Sequence, residues 1–354
     1  MDNLKLITLR DVETENIKFL WYPYIAYGKI TTVQGDPGDG KTTTMLAIAA
    51  AVTRGDNIAE GGGNAILAPS DVIFQTAEDG LADTIKPRLE QLGADCSRVH
   101  IIDEEDKTLS LTDERIEAAI LRTGAKLFIL DPLQAYMGGA DMNGTGGVRP
   151  LMKRLAAVAE STGAAIVLIG HLNKNGGSKS VYRGLGSIDI PAAARSVLTV
   201  GRLVNVDEHM RAFIQTKSNL APTGKPQAFG LDPVGGFCWL GDCDVTIEEL
   251  LDGKKTEKGA GQLELAKAYI MGLLAHGDVL SDVVFAKGEK AGFSEATMKR
   301  AKAELGIKSE KRGKVWFWVL KSNQRVQQSQ GNHELHCRGD ILDPIDTLPE
   351  SKVG

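Results

Sequence analysis

A glycine-rich segment near the start of the chain contains the residue types that bind a nucleotide phosphate. Residues 35–42 read Gly-Asp-Pro-Gly-Asp-Gly-Lys-Thr and match the pattern G-x-x-x-x-G-K-[ST]. Glycines allow several backbone N–H groups to face one phosphate, and the start of a following helix adds positive potential. The lysine of this pattern reaches the β- and γ-phosphates, and the hydroxyl after it coordinates Mg²⁺. The sequence therefore predicts a site for ATP and Mg²⁺ formed by Gly35, Asp36, Pro37, Gly38, Asp39, Gly40, Lys41, Thr42 and Thr43.

An acidic residue, Asp131, ends the strongly apolar run that starts at Lys126. An acid at the C-terminal tip of a parallel strand lies at the edge of the sheet where ligands bind. We predict that Asp131 holds Mg²⁺ beside the nucleotide. An alternative is that the acid caps a turn before Pro132.

A second acid, Glu78, ends the segment 71–78, which has the apolar character of a strand. A carboxylate there can orient and deprotonate the water that attacks the γ-phosphate, so Glu78 is the predicted catalytic base. Its neighbour Asp79 competes for this role, although Asp79 and Gly80 resemble the start of a turn.

A histidine, His171, ends the apolar segment 164–171. An imidazole at a strand tip beside the γ-phosphate could report the presence of that phosphate to the next loop. We predict this role for His171, with an ordinary structural histidine as the alternative.

Strands and helices must alternate to bring these residues together, and the sequence has that pattern through residues 1–250. It predicts an α/β domain with a mostly parallel sheet and flanking helices. Predicted strands cover 29–35, 71–78, 98–103, 125–131 and 164–171, and predicted helices cover 42–55, 81–93, 113–124 and 148–163. Residues 195–204, 211–219 and 226–232 are predicted to be antiparallel strands that close the sheet.

Residues 15–240 resemble the RecA-like hexameric ATPases, most closely the plasmid and phage replicative helicases related to RepA. The segments that carry the resemblance are Gln75–Gly80, Arg88–Gly93, Ile129–Leu133, Gly170–Lys174, Arg183–Ser187 and Lys217–Asn219. The resemblance implies a catalytic glutamate, a histidine that senses the γ-phosphate, and assembly into a ring, for which a hexamer is expected.

In that family an arginine after the R-G-x-x-S segment reaches into the site of the neighbouring subunit. By this pattern Arg195 is the candidate, because a trans arginine neutralises charge that grows on the γ-phosphoryl oxygens. Arg183 and Lys217 remain rivals for the role. The alternative for Arg195 is an ordinary surface ion pair.

Two glycine-rich stretches, 137–147 and 173–183, follow predicted strands. In this fold such loops line the central channel of the ring and touch single-stranded DNA. We therefore predict phosphate contacts for Lys174, Lys179 and Arg183. Solvent-exposed loops without DNA contacts are the alternative.

The end of the chain has a different composition. We predict a linker at 251–260, a small domain at 261–320 and a disordered tail at 321–354. Residues 258–321 contain 12 Lys and Arg against 7 Asp and Glu, whereas the whole chain has a net charge of -5. Three predicted helices and a basic hairpin indicate a winged helix-turn-helix, with Ser281 and Ser294 as N-caps. Helical spacing puts Met298, Ala301 and Leu305 of the third helix on one face and leaves Lys299, Arg300 and Lys302 largely to solvent. These three basic residues are predicted to contact duplex DNA.

The chain shows neither a signal-peptide pattern nor an apolar run long enough to span a bilayer, so we expect a cytoplasmic protein without a membrane partner. The predicted function is an ATP-hydrolysing ring motor that acts on DNA in replication, as a helicase of a phage, plasmid or mobile element. One alternative is a RecA-like loader, recombination or regulatory factor that does not unwind DNA. Another is a DNA-binding initiator in which ATP is only a switch. Replication proteins are expected as partners.

Overall fold

The computed structural model describes residues 6–59, 68–138, 147–172, 189–203, 208–232, 236–252, 261–274, 277–313 and 315–320. The predicted DNA contacts Lys174, Lys179 and Arg183 lie outside the described residues. So do residues 253–260 of the predicted linker and the predicted tail at 321–354.

A large mixed sheet forms the centre of the molecule. Its strands are β3 (Ile30–Gly35), β4 (Val72–Thr76), β5 (Val99–His100), β6 (Leu127–Asp131), β7 (Ala165–His171), β8 (Ser196–Arg202), β9 (Met210–Ser218), β10 (Gln227–Asp232) and β11 (Gly236–Asp242). Within the described residues their order is β11-β10-β9-β8-β3-β7-β6-β4-β5. The strands from β8 to β5 run parallel, and β9, β10 and β11 continue the sheet in antiparallel pairs. The predicted mixed α/β fold with a large, mostly parallel sheet is confirmed.

The direction of β8 differs from the prediction. Ser196 of β8 pairs with Thr31 of β3 in a parallel ladder, and β8 turns antiparallel only toward β9. The apolar sequence of β8 suits either direction, and α5 (Asp189–Ala193), which precedes it, starts the strand at the same edge as β3. The sequence also did not predict β11, which is the outer strand on this side of the sheet.

Helices cover both faces of the sheet and bury its side chains. They are α1 (Lys41–Arg54), α2 (Lys86–Gln91), α3 (Glu114–Thr123) and α4 (Val148–Thr162). One apolar core joins α1 and α2 to the sheet, and a second core joins α3 and α4 to the opposite face. The first core also includes Trp21 of a hairpin formed by β1 (Phe19–Trp21) and β2 (Ile25–Ala26). Gly55, Gly124 and Gly163 end three of these helices in the left-handed conformation that favours glycine.

The C-terminal residues fold as helix, strand, helix, helix and hairpin. These elements are α7 (Gly261–Leu274), β12 (Val279–Leu280), α8 (Ser281–Lys290), α9 (Glu295–Glu304), β13 (Lys308–Arg312) and β14 (Val315–Val319). The three strands form one small sheet in the order β12-β14-β13. Ser294 caps α9 as predicted, because its hydroxyl accepts a hydrogen bond from the Thr297 N–H at 3.1 Å. Ser281 is not a cap: it is the first residue of α8, and its hydroxyl accepts a bond from Trp318 Nε1 at 3.0 Å.

A third apolar core connects these C-terminal helices to the large sheet. It contains Ala266 and Ile270 of α7 together with Met210 and Ala228 of the antiparallel strands. The short helix α6 (Ile247–Asp252) contributes Leu250 to the same core. The helices therefore share buried surface with the sheet, and the division of the chain into separate domains remains a prediction.

Candidate active site

The ends of four neighbouring strands bring most of the predicted site residues to one edge of the sheet. Gly35 at the end of β3 is in register with His171 at the end of β7. Thr76 at the end of β4 is in register with Asp131 at the end of β6. Since β3, β7, β6 and β4 are consecutive in the sheet, the loops that follow them meet at this edge. The carboxyl edge of parallel strands is the usual position of a ligand site in such folds.

The loop after β3 takes the conformation that the glycine-rich pattern predicts. Gly40 has a φ of 89° and starts α1 in the left-handed conformation. Lys41 is 5% exposed, and its Nζ donates to the Gly35 carbonyl at 3.0 Å and the Asp36 carbonyl at 2.8 Å. Burial lowers the pKa of Lys41, while Asp39 and Asp131 act against this shift. The lysine is thus held across the loop by carbonyl oxygens that a phosphate could replace.

The other residues of the loop divide into exposed and buried positions. Asp36, Pro37 and Gly38 are exposed, whereas Asp39 is buried and Thr43 is half-buried in the first turn of α1. The N–H of Asp36 donates to Asp39 Oδ2 at 2.9 Å, so the Asp39 carboxylate closes the loop on itself. Burial raises the pKa of Asp39 above its ordinary value.

Two loop glycines are required by close neighbours. A Cβ atom at Gly35 would collide with the Val200 carbonyl of β8, and one at Gly40 would collide with the Leu231 side chain of β10. Strands β8 and β10 therefore pack directly against the loop.

Thr42 and Asp131 form the most direct link between the loop and the neighbouring strands. The Thr42 hydroxyl donates to Asp131 Oδ2 at 2.6 Å. Asp131 is 6% exposed, and burial raises its pKa to about 6; the nearby Glu78 carboxylate acts in the same direction. A hydroxyl and a carboxylate are oxygen donors of the kind that Mg²⁺ prefers. The two residues fit the predicted magnesium site.

Glu78 lies beyond β4 rather than at its end. The strand stops at Thr76, because Asp79 and Gly80 turn the chain toward the π-helical turn Leu81–Ile85. The Glu78 side chain is 61% exposed, and its Oε1 is 3.8 Å from His171 Nε2. Its carboxylate is accessible at the same edge as Asp131.

Asp79 is engaged in the turn that follows. Its N–H donates to Thr76 Oγ1 at 3.3 Å, and its carboxylate lies 3.4 Å from Arg88 Nη1. These contacts favour Glu78 over Asp79 as the residue that faces the nucleotide.

His171 has one ring nitrogen near Glu78 and the other inside the protein. Its Nδ1 is buried and has no hydrogen-bond partner among the described residues. A buried polar atom without a partner is destabilising, and the γ-phosphate role of His171 remains a prediction.

Arg195 lies at the opposite edge of the sheet from its own phosphate loop. Its N–H donates at 2.9 Å to the carbonyl of Ile30, where β3 begins, whereas the loop follows Gly35, where β3 ends. The Arg195 side chain is exposed. It is therefore unable to serve the nucleotide site of its own chain and is available to a neighbour.

Lys217 has a local structural role. Its Nζ donates to the carbonyls of Pro191, Ala192 and Ala194 at 2.7, 3.1 and 2.8 Å, at the C-terminal end of α5. Burial lowers the pKa of Lys217, and the charge of Arg195 adds to the shift. These three bonds engage the Lys217 ammonium within its own chain, and its role as a rival of Arg195 remains a prediction.

Arg202 belongs to the site but was not predicted. Its Nε lies 3.5 Å from Asp39 Oδ1, and its Nη2 lies 3.5 Å from the Gly38 carbonyl. Arg202 ends β8, and a parallel β8 beside β3 brings this end next to the phosphate loop. The sequence shows an arginine near the end of an apolar strand. Whether that end lies beside the phosphate loop depends on the direction of β8, which the sequence did not predict.

The three basic residues predicted to bind duplex DNA occupy different environments on α9. Lys299 and Arg300 are exposed and lie 2.6 Å from Glu295 and 3.5 Å from Glu304, respectively. Lys302 is only half exposed, contrary to the prediction that solvent surrounds it. Its Nζ is 4.5 Å from the centre of the buried Trp318 ring and also bonds the Ser309 hydroxyl, because β13 and β14 fold back over this helix.

Comparison with known proteins gives a family match and several distant relatives. A family model described as an AAA domain matches residues 4–177. Proteins named "DNA repair protein RadA" are 24% identical over 155 residues in Bacillus subtilis, 27% over 155 residues in Halalkalibacterium halodurans and 25% over 232 residues in Streptococcus pneumoniae. These alignments cover 43%, 43% and 64% of this chain but 30%, 30% and 48% of the relatives, so the chain matches at most about half of their length.

A solved structure of a KaiC-like protein from Pyrococcus horikoshii aligns with 62% of this chain and 93% of its own, at 18% identity and a TM-score of 0.43. No helix in the described ranges is both long enough and apolar enough to cross a bilayer. The family match, the RadA relatives and the residues at the sheet edge support a RecA-like P-loop ATPase.

Proposed function

We propose that the chain is a ring-forming motor that hydrolyses ATP and acts on DNA, as a helicase in replication. The hydrogen bond between Thr42 and Asp131 carries the ATP-hydrolysing part of the proposal, because it joins the phosphate loop to the strand that would supply a magnesium ligand. Lys41 would meet the β- and γ-phosphates, and the loop N–H groups would bind the same anions.

The Thr42 hydroxyl and the Asp131 carboxylate would hold Mg²⁺, which would supply charge neutralisation at the phosphate oxygens. Glu78 would accept the proton of the attacking water, since its carboxylate is accessible beside this pair. His171 would contact the γ-phosphate through Nε2. The contact between His171 and Glu78 would then differ between the states with and without the γ-phosphate.

Assembly into a ring is supported by the position of Arg195. Its exposed guanidinium lies at the sheet edge away from its own loop, which suits a residue that completes the site of the next subunit. A hexamer is proposed from the family resemblance alone.

Contact with DNA is supported by the charge of the C-terminal elements. The order of helices and strands at 261–320 suits a winged helix, in which α9 would face duplex DNA. The relatives are named for DNA repair, which is compatible with the second candidate, a RecA-like loader, recombination or regulatory factor that does not unwind DNA. The third, an initiator that uses ATP only as a switch, predicts duplex binding that does not depend on hydrolysis.

The test is an ATPase assay with and without single-stranded DNA, together with mass measurement in Mg-ATP and a strand-displacement assay. Lys41→Ala serves as the inactive control. Stimulated turnover by a ring that displaces a strand supports the motor proposal, whereas stimulated turnover without displacement supports the repair and recombination alternative. If the wild type hydrolyses ATP no faster than Lys41→Ala, both proposals are refuted.

A further inference from the structure

The strand that leads into the phosphate loop has different neighbours on its two sides. β7, β6 and β4 lie on one side of β3 and bring His171, Asp131 and Glu78 to the site. β8 lies on the other side and ends with Arg202. The catalytic groups and Arg202 therefore approach the loop from opposite directions.

A bound nucleotide must have its two ends on these two sides. The γ-phosphate belongs beside the Thr42 and Asp131 oxygens, where the metal ligands and the base are found. The phosphate chain and the sugar then continue away from the catalytic groups. The side that remains for the α-phosphate is the β8 side of the loop.

The Arg202 guanidinium is positioned to bind an anion on this side of the loop. Its side chain is 59% exposed, and it touches the loop only through two contacts of 3.5 Å, to Asp39 Oδ1 and the Gly38 carbonyl. A guanidinium has five N–H donors, so donors remain for a phosphate oxygen. The Asp39 side chain is 10% exposed and is itself fixed by the Asp36 N–H at 2.9 Å.

We propose that Arg202 binds the α-phosphate end of ATP from within the same subunit, and that Asp39 holds its guanidinium beside the loop before the nucleotide arrives. This inference rests on the proposed function, because it needs ATP to be the ligand of the loop. Arg202 sets affinity for the part of the nucleotide that is the same in ATP and ADP.

The first experiment measures the binding of ATPγS and ADP to the full chain by calorimetry. Arg202→Ala should weaken both ligands about tenfold and equally, which is about 1.4 kcal/mol each. Arg202→Lys keeps the charge and should bind more tightly than the alanine variant. Arg202→Ala should also raise the KM for ATP, since a lost contact with the unreactive part of the substrate acts on KM.

Arg154→Ala is the matched control, because Arg154 is also an exposed arginine with a carboxylate partner, Glu117, at 3.1 Å. It should bind both nucleotides as the wild type does. Unchanged affinity in Arg202→Ala would overturn the inference. If the wild type itself fails to bind ATPγS, the proposed function fails, and the inference fails with it.

The second experiment separates a direct contact from an effect through Asp39. Asp39→Asn keeps an acceptor for the Asp36 N–H but removes the negative charge near the phosphates. With a direct contact, Asp39→Asn weakens binding less than Arg202→Ala does, because the guanidinium can still reach the bound phosphate, and adding Arg202→Ala to Asp39→Asn weakens binding further. If Arg202 only holds Asp39 in place, Asp39→Asn weakens binding as much as Arg202→Ala and the double variant is no weaker; that result would reject the direct contact.

Discussion

The hydroxyl of Thr42 and the carboxylate of Asp131 lie 2.6 Å apart, although 89 residues separate them along the chain. Thr42 is in the first turn of α1, and Asp131 is the last residue of β6, which is separated from β3 by β7. The bond therefore spans the opening above β7, where His171 lies. Any ligand that takes both oxygens must replace this hydrogen bond, so binding and the position of α1 relative to β6 are linked.

The buried carboxylate of Asp131 should make stability depend on pH. Its pKa is raised from 3.8 to about 6, so the folded protein holds the proton more tightly than the unfolded chain. The free energy of unfolding should therefore fall as pH rises from about 4 to about 6 and then level off for this residue, with a total cost of about 3 kcal/mol.

Asp131→Asn removes this cost and keeps an acceptor for the Thr42 hydroxyl. In metal-free denaturant unfolding, the variant should be more stable than the wild type, and the gain at pH 8 should exceed the gain at pH 5 by roughly 1 kcal/mol. An equal gain in stability at the two pH values, or a loss of stability at pH 8, would show that burial does not raise the pKa of Asp131 in the folded protein.

Glu78→Gln should separate hydrolysis from binding. The amide keeps the shape of the side chain but cannot accept a proton, so ATP should still bind while turnover falls at least about 100-fold. Asp79→Asn is the matched control, because Asp79 is held in its turn by Thr76 and Arg88, and it should keep most activity. Near-normal turnover in Glu78→Gln together with a large loss in Asp79→Asn would transfer the role to Asp79.

Arg195→Ala should hydrolyse ATP poorly and yet recover activity when it is mixed with Glu78→Gln protein. In a mixed ring, some interfaces place an intact Glu78 opposite an intact Arg195. Arginine residues that act in trans contribute about 10³ to 10⁵ in rate, so a minority of repaired interfaces is measurable. Co-assembly without recovery would reject Arg195, and the same mixing test would then be applied to Arg183.

Lys217→Ala should lower the melting temperature of the protein, because three carbonyls lose their hydrogen-bond partner.

Replacing the basic residues of α9 in the full chain should have two different effects, on DNA binding for Lys299 and Arg300 and on stability for Lys302. Lys299→Ala with Arg300→Ala should weaken duplex DNA binding and reduce its salt dependence, with little effect on folding. Lys302→Ala should lower the melting temperature, because its Nζ lies against Trp318 and bonds Ser309. DNA binding that is unaffected by the double change at low salt would assign the C-terminal surface to a protein partner.

The phosphate loop and the strand ends were accessible from sequence because short-range rules determine them. The pattern at 35–42 needs a strand before it and a helix after it, and β3 and α1 are found there. Alternating apolar segments then indicated that Asp131 and His171 lie at the same sheet edge, which the registers show.

The features that the sequence did not predict depend on which strand or helix packs beside another. An apolar strand such as β8 has the same composition whether it runs parallel or antiparallel. The position of Arg202 beside the phosphate loop therefore could not be predicted from the sequence. Helical spacing placed Lys302 on an exposed face of α9, but β14 returns across it with Trp318. Ile270 of α7 packs into a core shared with β9 and β10, a contact between distant segments that no local pattern indicates.

The contacts of Gly35 and Gly40 with Val200 and Leu231 matter for anyone who wants to inactivate this protein cleanly. Here a methyl group at Gly35 would collide with the backbone of β8, and one at Gly40 would meet the Leu231 side chain in a left-handed backbone that favours glycine, so each change would disturb the fold around the loop. A phenotype from such a variant would report misfolding as much as lost ATP binding. Lys41→Ala removes atoms rather than adding them, so it is the better choice for genetic experiments that ask what ATP does.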